Sequence, residues 1–301
     1  MRLLFDIIWT MKSPAFLYSR PNSLEEAFSL LDRYAEDAKL LAGGQSLMPL
    51  LNMRLASPQV IIDMSQLNFL KEIQNDDSQK ILQIGAMVRH SQVESSALVR
   101  AYAPLLSMSV GHVAHRAIRA RGTFGGSIAM ADSAAEMPAM TLAQSGVMKI
   151  GSSTGTRLVA ANDFFQGLYA TDLKPNEILL GINFPHPLAN QRYVFEEISR
   201  RAGDYATVGI GMHGSFQGNV CQALQIVFFA VADRPRLLNR VTESLVGQVL
   251  RPPLIDQALH LLEEDITVLA DLYHDVPTKL HLMKHLLKKS LLKITGEYAD
   301  E

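Results

Sequence analysis

The chain's polar and apolar positions fall into three blocks of different rhythm. In the first, Ala27, Leu30, Leu31 and Tyr34 recur at helical spacing, with Glu25, Glu26, Asp32 and Arg33 mostly elsewhere on the wheel. Ser23 and Glu26 form a capping box that opens this helix. An apolar run over Lys39–Ala42 predicts a strand, Leu47–Leu55 a helix and Val60–Asp63 a buried strand, a β-turn-α-β order of parallel-sheet type. In the second block, strands are predicted over Ile81–Met87, Val147–Ile150, Arg157–Ala160 and Ile178–Phe184, the middle two joined by a turn from Gly151 to Gly155. Ser91 with Glu94 predicts a short helix, Pro104–Ile118 a long one and Ala135–Gln144 another. A boundary falls at the PHPLANQ segment, Pro185–Gln191. In the third block, strands over Tyr193–Ile198, Thr207–Phe216 and Ala223–Val231, with a Gly218-Asn219 turn, precede helices over Pro235–Val246, Pro253–Asp265 and Lys279–Ile294. Strands followed by helices predict a separate α+β lobe.

Composition narrows the function classes. A length of 301 residues suits two lobes, and 48% hydrophobic residues supply a substantial core. A formal net charge of −2 gives no reason to expect a nucleic-acid partner. Cys221 is the only cysteine, which excludes an intrachain disulfide and a Cys-ligated iron–sulfur cluster in this chain. No apolar run reaches the roughly eighteen residues that span a bilayer, so no membrane insertion is expected. The opening MRLLFDIIWT contains Asp6 and lacks a small-residue cleavage site, so residues 1–12 read as an extension and the cytoplasm is the default location.

The candidate chemistry sits on two glycine segments about eighty residues apart. Ala42-Gly43-Gly44-Gln45-Ser46 joins a predicted strand to a predicted helix, where unpaired backbone N–H groups attract phosphate. It lacks the G-x-G-x-x-G pattern, so a nicotinamide-type Rossmann domain is not supported. Thr123-Phe124-Gly125-Gly126-Ser127 is a second segment of the same kind, and without a Cβ in the way its backbone can close on a ligand. Two such segments fit two phosphates of one dinucleotide held between subdomains. Asp132 and Glu136 follow, four apart; if helical they share a face and suit ribose hydroxyls, while Asp132 also reads as a helix N-cap. Arg200-Arg201-Ala202-Gly203-Asp204-Tyr205 reads as a turn with a buried Tyr, or as one that lays an aromatic against a planar ring. The pairs His112/His115 and His281/His285 read as surface or packing residues, because H-L-M-K-H lacks the Glu of a metalloprotease. Lys279, Lys284, Lys288, Lys289 and Lys293 read as the solvated face of a core helix, or as a docking surface.

Four segments, taken together, resemble the flavin-binding (medium) subunits of the molybdenum hydroxylases, the family of aerobic carbon monoxide dehydrogenase and the separate-subunit xanthine dehydrogenases. They are LAGGQSLMPLLNMRLASP at Leu41–Pro58, IRARGTFGGSIAMADSAAEMPA at Ile118–Ala139, FFQGLYATDLKPNEILLGINFP at Phe164–Pro185 and RRAGDYATVG at Arg200–Gly209. The resemblance implies an α+β fold: a vanillyl-alcohol-oxidase-type (PCMH-type) FAD-binding domain over 13–187, in two α/β subdomains near 13–66 and 67–187. A C-terminal α+β domain over 191–298 then carries a three-stranded antiparallel sheet. It also implies that Ala42–Ser46 and Thr123–Ser127 hold the FAD pyrophosphate and Glu136 the ribose hydroxyls, with Asp132 nearby. Leu179 or Leu180 touches the flavin and Tyr205 lies near the isoalloxazine. Met130 and Ser133 depart from the family's usual His and Pro and put the local loop shape in question. The implied role is electron transfer. A small iron–sulfur subunit with [2Fe–2S] clusters and a large molybdenum subunit complete a heterotrimer, which itself dimerises, and the flavin passes electrons to NAD⁺, oxygen or a quinone. The lone cysteine argues against the branch whose flavin subunit carries its own cluster. Two alternatives remain at this level: a stand-alone FAD oxidase of the same fold, and a non-catalytic nucleotide-binding or assembly module.

Overall fold

The computed structural model describes residues 12–296, so the expected extension over 1–12 lies almost wholly outside the described residues. The chain opens with β1 (Leu17–Ser19), α1 (Leu24–Tyr34), β2 (Ala38–Leu41), α2 (Leu47–Asn52) and β3 (Val60–Asp63). The strands form a parallel sheet in the order β1-β3-β2. The Ser23 hydroxyl accepts the Glu26 N–H at 3.2 Å, and the Glu26 carboxylate accepts from the Asn22 N–H at 2.8 Å, so the predicted cap is present in a slightly widened form. Ala27, Phe28 and Leu31 then bury against Val60 and Ile62.

The next block contains β4 (Ile73–Asp76), β5 (Ile81–Gly85), α3 (His90–Ser95), α4 (Ala97–Tyr102), α5 (Pro104–Ser109), α6 (Arg116–Arg119), α7 (Phe124–Met130) and α8 (Glu136–Ala143). It continues with β6 (Val147–Ser152), β7 (Gly155–Ala160), α9 (Ala161–Phe164), the small hairpin of β8 (Phe165–Gly167) and β9 (Ala170–Thr171), and β10 (Ile178–Pro185). The five longer strands pair antiparallel in the order β4-β5-β10-β6-β7.

Two expectations fail here for identifiable reasons. The single helix over Pro104–Ile118 is broken: α5 runs into a 3₁₀ turn at Val110–His112, and Ala114 takes a left-handed φ of 43° before α6 starts. Arg119 supports the break, its guanidinium donating to the carbonyls of Gly111, Val113 and Ala114 at 3.1–3.2 Å. That cation lies only five to eight residues downstream, but nothing in its spacing marks it as the partner of three carbonyls. The helix at Ser91 starts earlier than predicted, with Arg89 as N-cap and Gln92, not Glu94, reaching back to the cap N–H at 2.9 Å. Glu94 instead pairs with Arg119 at 3.0 Å.

The last block holds β11 (Gln191–Ser199), β12 (Ala206–Gln217), β13 (Val220–Phe229), β14 (Arg236–Leu237), α10 (Asn239–Leu245), α11 (Pro252–Ala258), α12 (Leu262–Asp265) and α13 (Val276–Thr295). The sheet order is β11-β12-β13-β14, so it has four strands rather than the three expected; the fourth, only two residues long, occupies the predicted start of the Pro235–Val246 helix. One face packs against α13 through Val208, Ile210 and Met212. The other packs against α8, where Phe195, Val227 and Phe229 join the core of the five-stranded sheet. The lobe is therefore α+β, but one of its two sheet faces completes its neighbour's core. Lys279 also departs from its reading. It is 4% exposed, and its ammonium donates to the Ala230 carbonyl and pairs with Asp271, each at 2.8 Å. The rest of that face is solvated and paired, Lys284 with Glu263, Lys288 with Asp256, and Lys289 and Lys293 with Glu196.

Candidate functional site

The site is built where the parallel sheet meets α7. The loop Ala42–Ser46 leaves the end of β2, and Gly44 turns it with a φ of 73°. Among the described residues, no protein acceptor pairs with the backbone N–H of Gly43, Gly44, Gln45 or Ser46. Successive open amides at a turn into a helix make an anion cradle. Gln45 stiffens it from the side, donating from Nε2 to the Gly43 carbonyl at 3.2 Å.

The second segment lies against the first. A Cβ on Gly43 would stand 2.4 Å from the Arg121 carbonyl oxygen and 2.7 Å from Gly122 Cα, so the two backbones touch and only glycine fits at 43. Thr123–Ser127, however, is not a second open loop. Thr123 caps α7 by accepting the Gly126 N–H at 3.1 Å, and the glycine pair forms the helix's first turn. Its amides are engaged: Phe124 donates to the Val88 carbonyl at 2.7 Å, Gly125 to Ala86 at 3.0 Å and Ser127 to Thr123 at 3.1 Å. Gly125 is required for packing, because a Cβ there would fall 2.5 Å from that of Ala86. Gly126 and Ser127 are half-buried and remain on the accessible side of this turn.

α7 ends at Ala131 in a left-handed conformation. Asp132 is thus in a turn, where its carboxylate accepts the Ala134 N–H at 3.0 Å. It neither shares a helical face with Glu136 nor caps α8, whose N-cap is Ala135. Glu136, first residue of α8, is 6% exposed. Burial pushes its carboxyl up to about 7, and the nearby Glu197 and Asp132 charges add to the shift. Tyr205 reaches the same place from the start of β12 and turns its hydroxyl to Asp132. Burial of that hydroxyl and the Asp132 charge push its pKa up to about 12, although the residue as a whole is 70% exposed. Leu179 is buried in the core, whereas Leu180 sits half-buried at a bulge in β10, its carbonyl accepting the Ala86 N–H at 3.0 Å. The structure therefore brings the two glycine segments together and gathers Asp132, Glu136 and Tyr205 at the α7–α8 turn.

Several neighbours escaped the sequence reading. Glu197 is buried with Oε2 unpartnered, while Oε1 meets His112 Nδ1 at 2.9 Å. That carboxylate raises the His112 pKa, through the hydrogen bond first. The available signal was alternation: Glu197 lies on the same strand face as buried Phe195. His90 is 4% exposed with Nδ1 unpartnered, and its ring closes the space beside Gly122. Burial, then the Arg119 charge, push it down to about 4, so it is neutral near pH 7. Tyr169 faces Asp132 from the loop between β8 and β9. His281 and His285 are exposed on α13.

Residues 12–187 match the FAD binding domain in molybdopterin dehydrogenase, and residues 193–294 match the CO dehydrogenase flavoprotein C-terminal domain. The chain is 34% identical to the caffeine dehydrogenase subunit beta of Pseudomonas sp. strain CBB1, covering 87% of this chain and 90% of that one. It is 33% identical to the carbon monoxide dehydrogenase medium chain of Afipia carboxidovorans, covering 83% and 86%. Among solved structures it superposes on a chain of quinoline 2-oxidoreductase from Pseudomonas putida 86 with a TM-score of 0.90 at 38% identity, over 96% of this chain and 100% of that one.

Proposed function

We infer the function from one premise: this chain belongs to the family of FAD-binding medium subunits of the molybdenum hydroxylases. It is the FAD-carrying oxidoreductase subunit of a heteromeric complex, working beside a small iron–sulfur subunit and a large molybdenum subunit. We further propose that it takes electrons from the iron–sulfur subunit and hands them to a diffusible acceptor, that the heterotrimer pairs with a second copy, and that the complex works in the cytoplasm.

The observation that carries the site assignment is the run of four open amides, Gly43–Ser46, pressed against the backbone of Arg121–Thr123. In this reading those amides hold the pyrophosphate, with Ala42, Gly126 and Ser127 forming the opposite wall. Thr123, Phe124 and Gly125 act one step back by fixing where α7 begins. Glu136 and Asp132 serve the ribose hydroxyls; a carboxyl that titrates near 7 can both accept and donate there. Leu180 and Tyr205 border the ring system, and Leu179 supports Leu180 from within the core. When bound, FAD supplies the redox chemistry, while the chain binds it, orients it and limits water.

Gly43→Ala tests this. The added methyl must push the two backbones apart where they now touch. The variant is expected to keep its far-UV circular dichroism and lose about tenfold in FAD affinity, about 1.4 kcal/mol. Unchanged flavin content in the folded variant would remove the basis for the assignment. The chain purified alone is expected to be yellow and inactive on small alcohols.

A further inference from the structure

The short helix α2 buries little of what it carries. Leu47–Asn52 reads LMPLLN, yet only Leu51 is buried. Met48 stands 38% exposed, and in the turn that follows Met53 is 58% and Leu55 71% exposed. That turn is fixed: Arg54 takes a left-handed φ of 58°, and the Leu55 N–H returns to the Leu50 carbonyl at 2.8 Å. Among the described residues nothing covers this face, and apolar side chains grouped in this way call for a partner. The face adjoins the Gly43–Ser46 loop, since a Cβ on Gly44 would meet Met48 Cγ at 3.2 Å.

The described chain begins beside this face. Arg54, between Met53 and Leu55 in sequence, donates from Nε to the Lys12 carbonyl at 2.9 Å. The residues before Lys12 read MRLLFDIIWTM, in which Leu3 to Trp9 is apolar but for Asp6. Trp9 is three residues from Lys12, so its backbone lies within about 11 Å of that contact whatever path the chain takes. Such a segment gains by leaving water, and an uncovered apolar surface lies at its root. We propose that residues 1–11 pack on the face formed by Met48, Met53 and Leu55 as its resident cover. The proposal stands apart from the flavin assignment, because neither the face nor the segment includes a residue of the cradle.

Trp9 is the only tryptophan, so the tryptophan fluorescence of the full chain reads this segment alone. The folded chain is expected to emit to the blue of the urea-unfolded chain and to resist acrylamide quenching severalfold better. Met53→Asp and Leu55→Asp, at side chains standing in solvent, leave the core alone. They are expected to shift the emission to the red and to bring quenching close to that of the unfolded chain. Removal of residues 1–11 is expected to raise binding of a hydrophobic dye severalfold by baring the face. Emission from folded wild type that matches the unfolded chain overturns the proposal. So does a wild-type spectrum in both folded variants, which places Trp9 elsewhere, or unchanged dye binding by the shortened chain. Protection of Trp9 that grows with chain concentration, or that arises only once partner subunits are assembled, gives the face to a second copy or to a partner and equally overturns it.

Discussion

Glu136 is a carboxyl that the protein keeps from ionising easily. Its folded pKa lies near 7 against an ordinary 4.5, so the native state holds a proton that the unfolded chain releases across that window. Stability is therefore undiminished below about pH 4.5 and falls as pH rises through 7. Glu136→Gln is expected to stabilise the flavin-free chain at pH 8, by on the order of 2 kcal/mol, and to leave it unchanged at pH 4.5. Urea titrations at the two pH values decide this. Glu197→Gln removes the charge that crowds Glu136 and the hydrogen bond that raises the His112 pKa. Both pKa values are expected to fall, His112 toward or below 6.5, as read from its imidazole resonance. If the His112 resonance titrates as before, the pairing is not what sets it. Asp132 and Glu136 were legible as neighbours, but a turn and not the shared helical face suggested by their spacing brings them together. Glu197 was not legible, since what makes it notable is the missing partner of one oxygen.

At the scale of elements, α7 shows how a glycine motif serves packing and binding together. β5 ends at Gly85, the β10 bulge offers its Leu180 carbonyl, and both converge on Ala86, which lies under Gly125. Gly125→Ala is expected to cost about 2 kcal/mol of stability by overpacking, with flavin loss following from the displaced helix. Gly43→Ala meets fixed backbone at 2.4 Å and should lose stability as well as flavin, through the contact between the two glycine segments. Thermal melts of the two flavin-free variants measure both costs, and a native melting temperature in either would refute the clash it is meant to create. The helices at 24–34 and 276–295 were legible because their periodicity is local and their caps lie close in sequence, whereas 136–143 is buried on every side with no side-chain cap, and the short strands β1 and β4 were not read. The break after Pro104–Ser109 was not legible, because Arg119 stabilises it from another element. The two-residue strand β14 was too short to show a period.

Taken whole, the molecule is tied across its lobes. Phe195 and Phe229 stack 6.2 Å apart in the core they share with α8, and Gln225 donates to the Leu142 carbonyl at 3.0 Å. Cutting the chain after residue 187 would bare that face of α8. The truncated piece is expected to aggregate or to lack dispersed NMR signals, whereas the full chain melts in one cooperative transition. A well-folded, flavin-binding fragment would show that the shared core is dispensable. The two-lobe outline was readable from the order of strands and helices. The shared face was not, since alternation in a strand shows which residues are apolar but not which neighbour covers them.

Ala230 is a small residue with long reach. Its N–H holds the Ser133 carbonyl at 2.8 Å, and its own carbonyl receives the Lys279 ammonium at 2.8 Å. The bend beside Asp132 is thus tethered through one alanine to the terminal helix, like a lever resting on a pin. Anything that tugs that helix, whether heat, mutation or a docked neighbour, acts on the ground where the cofactor's sugar would stand.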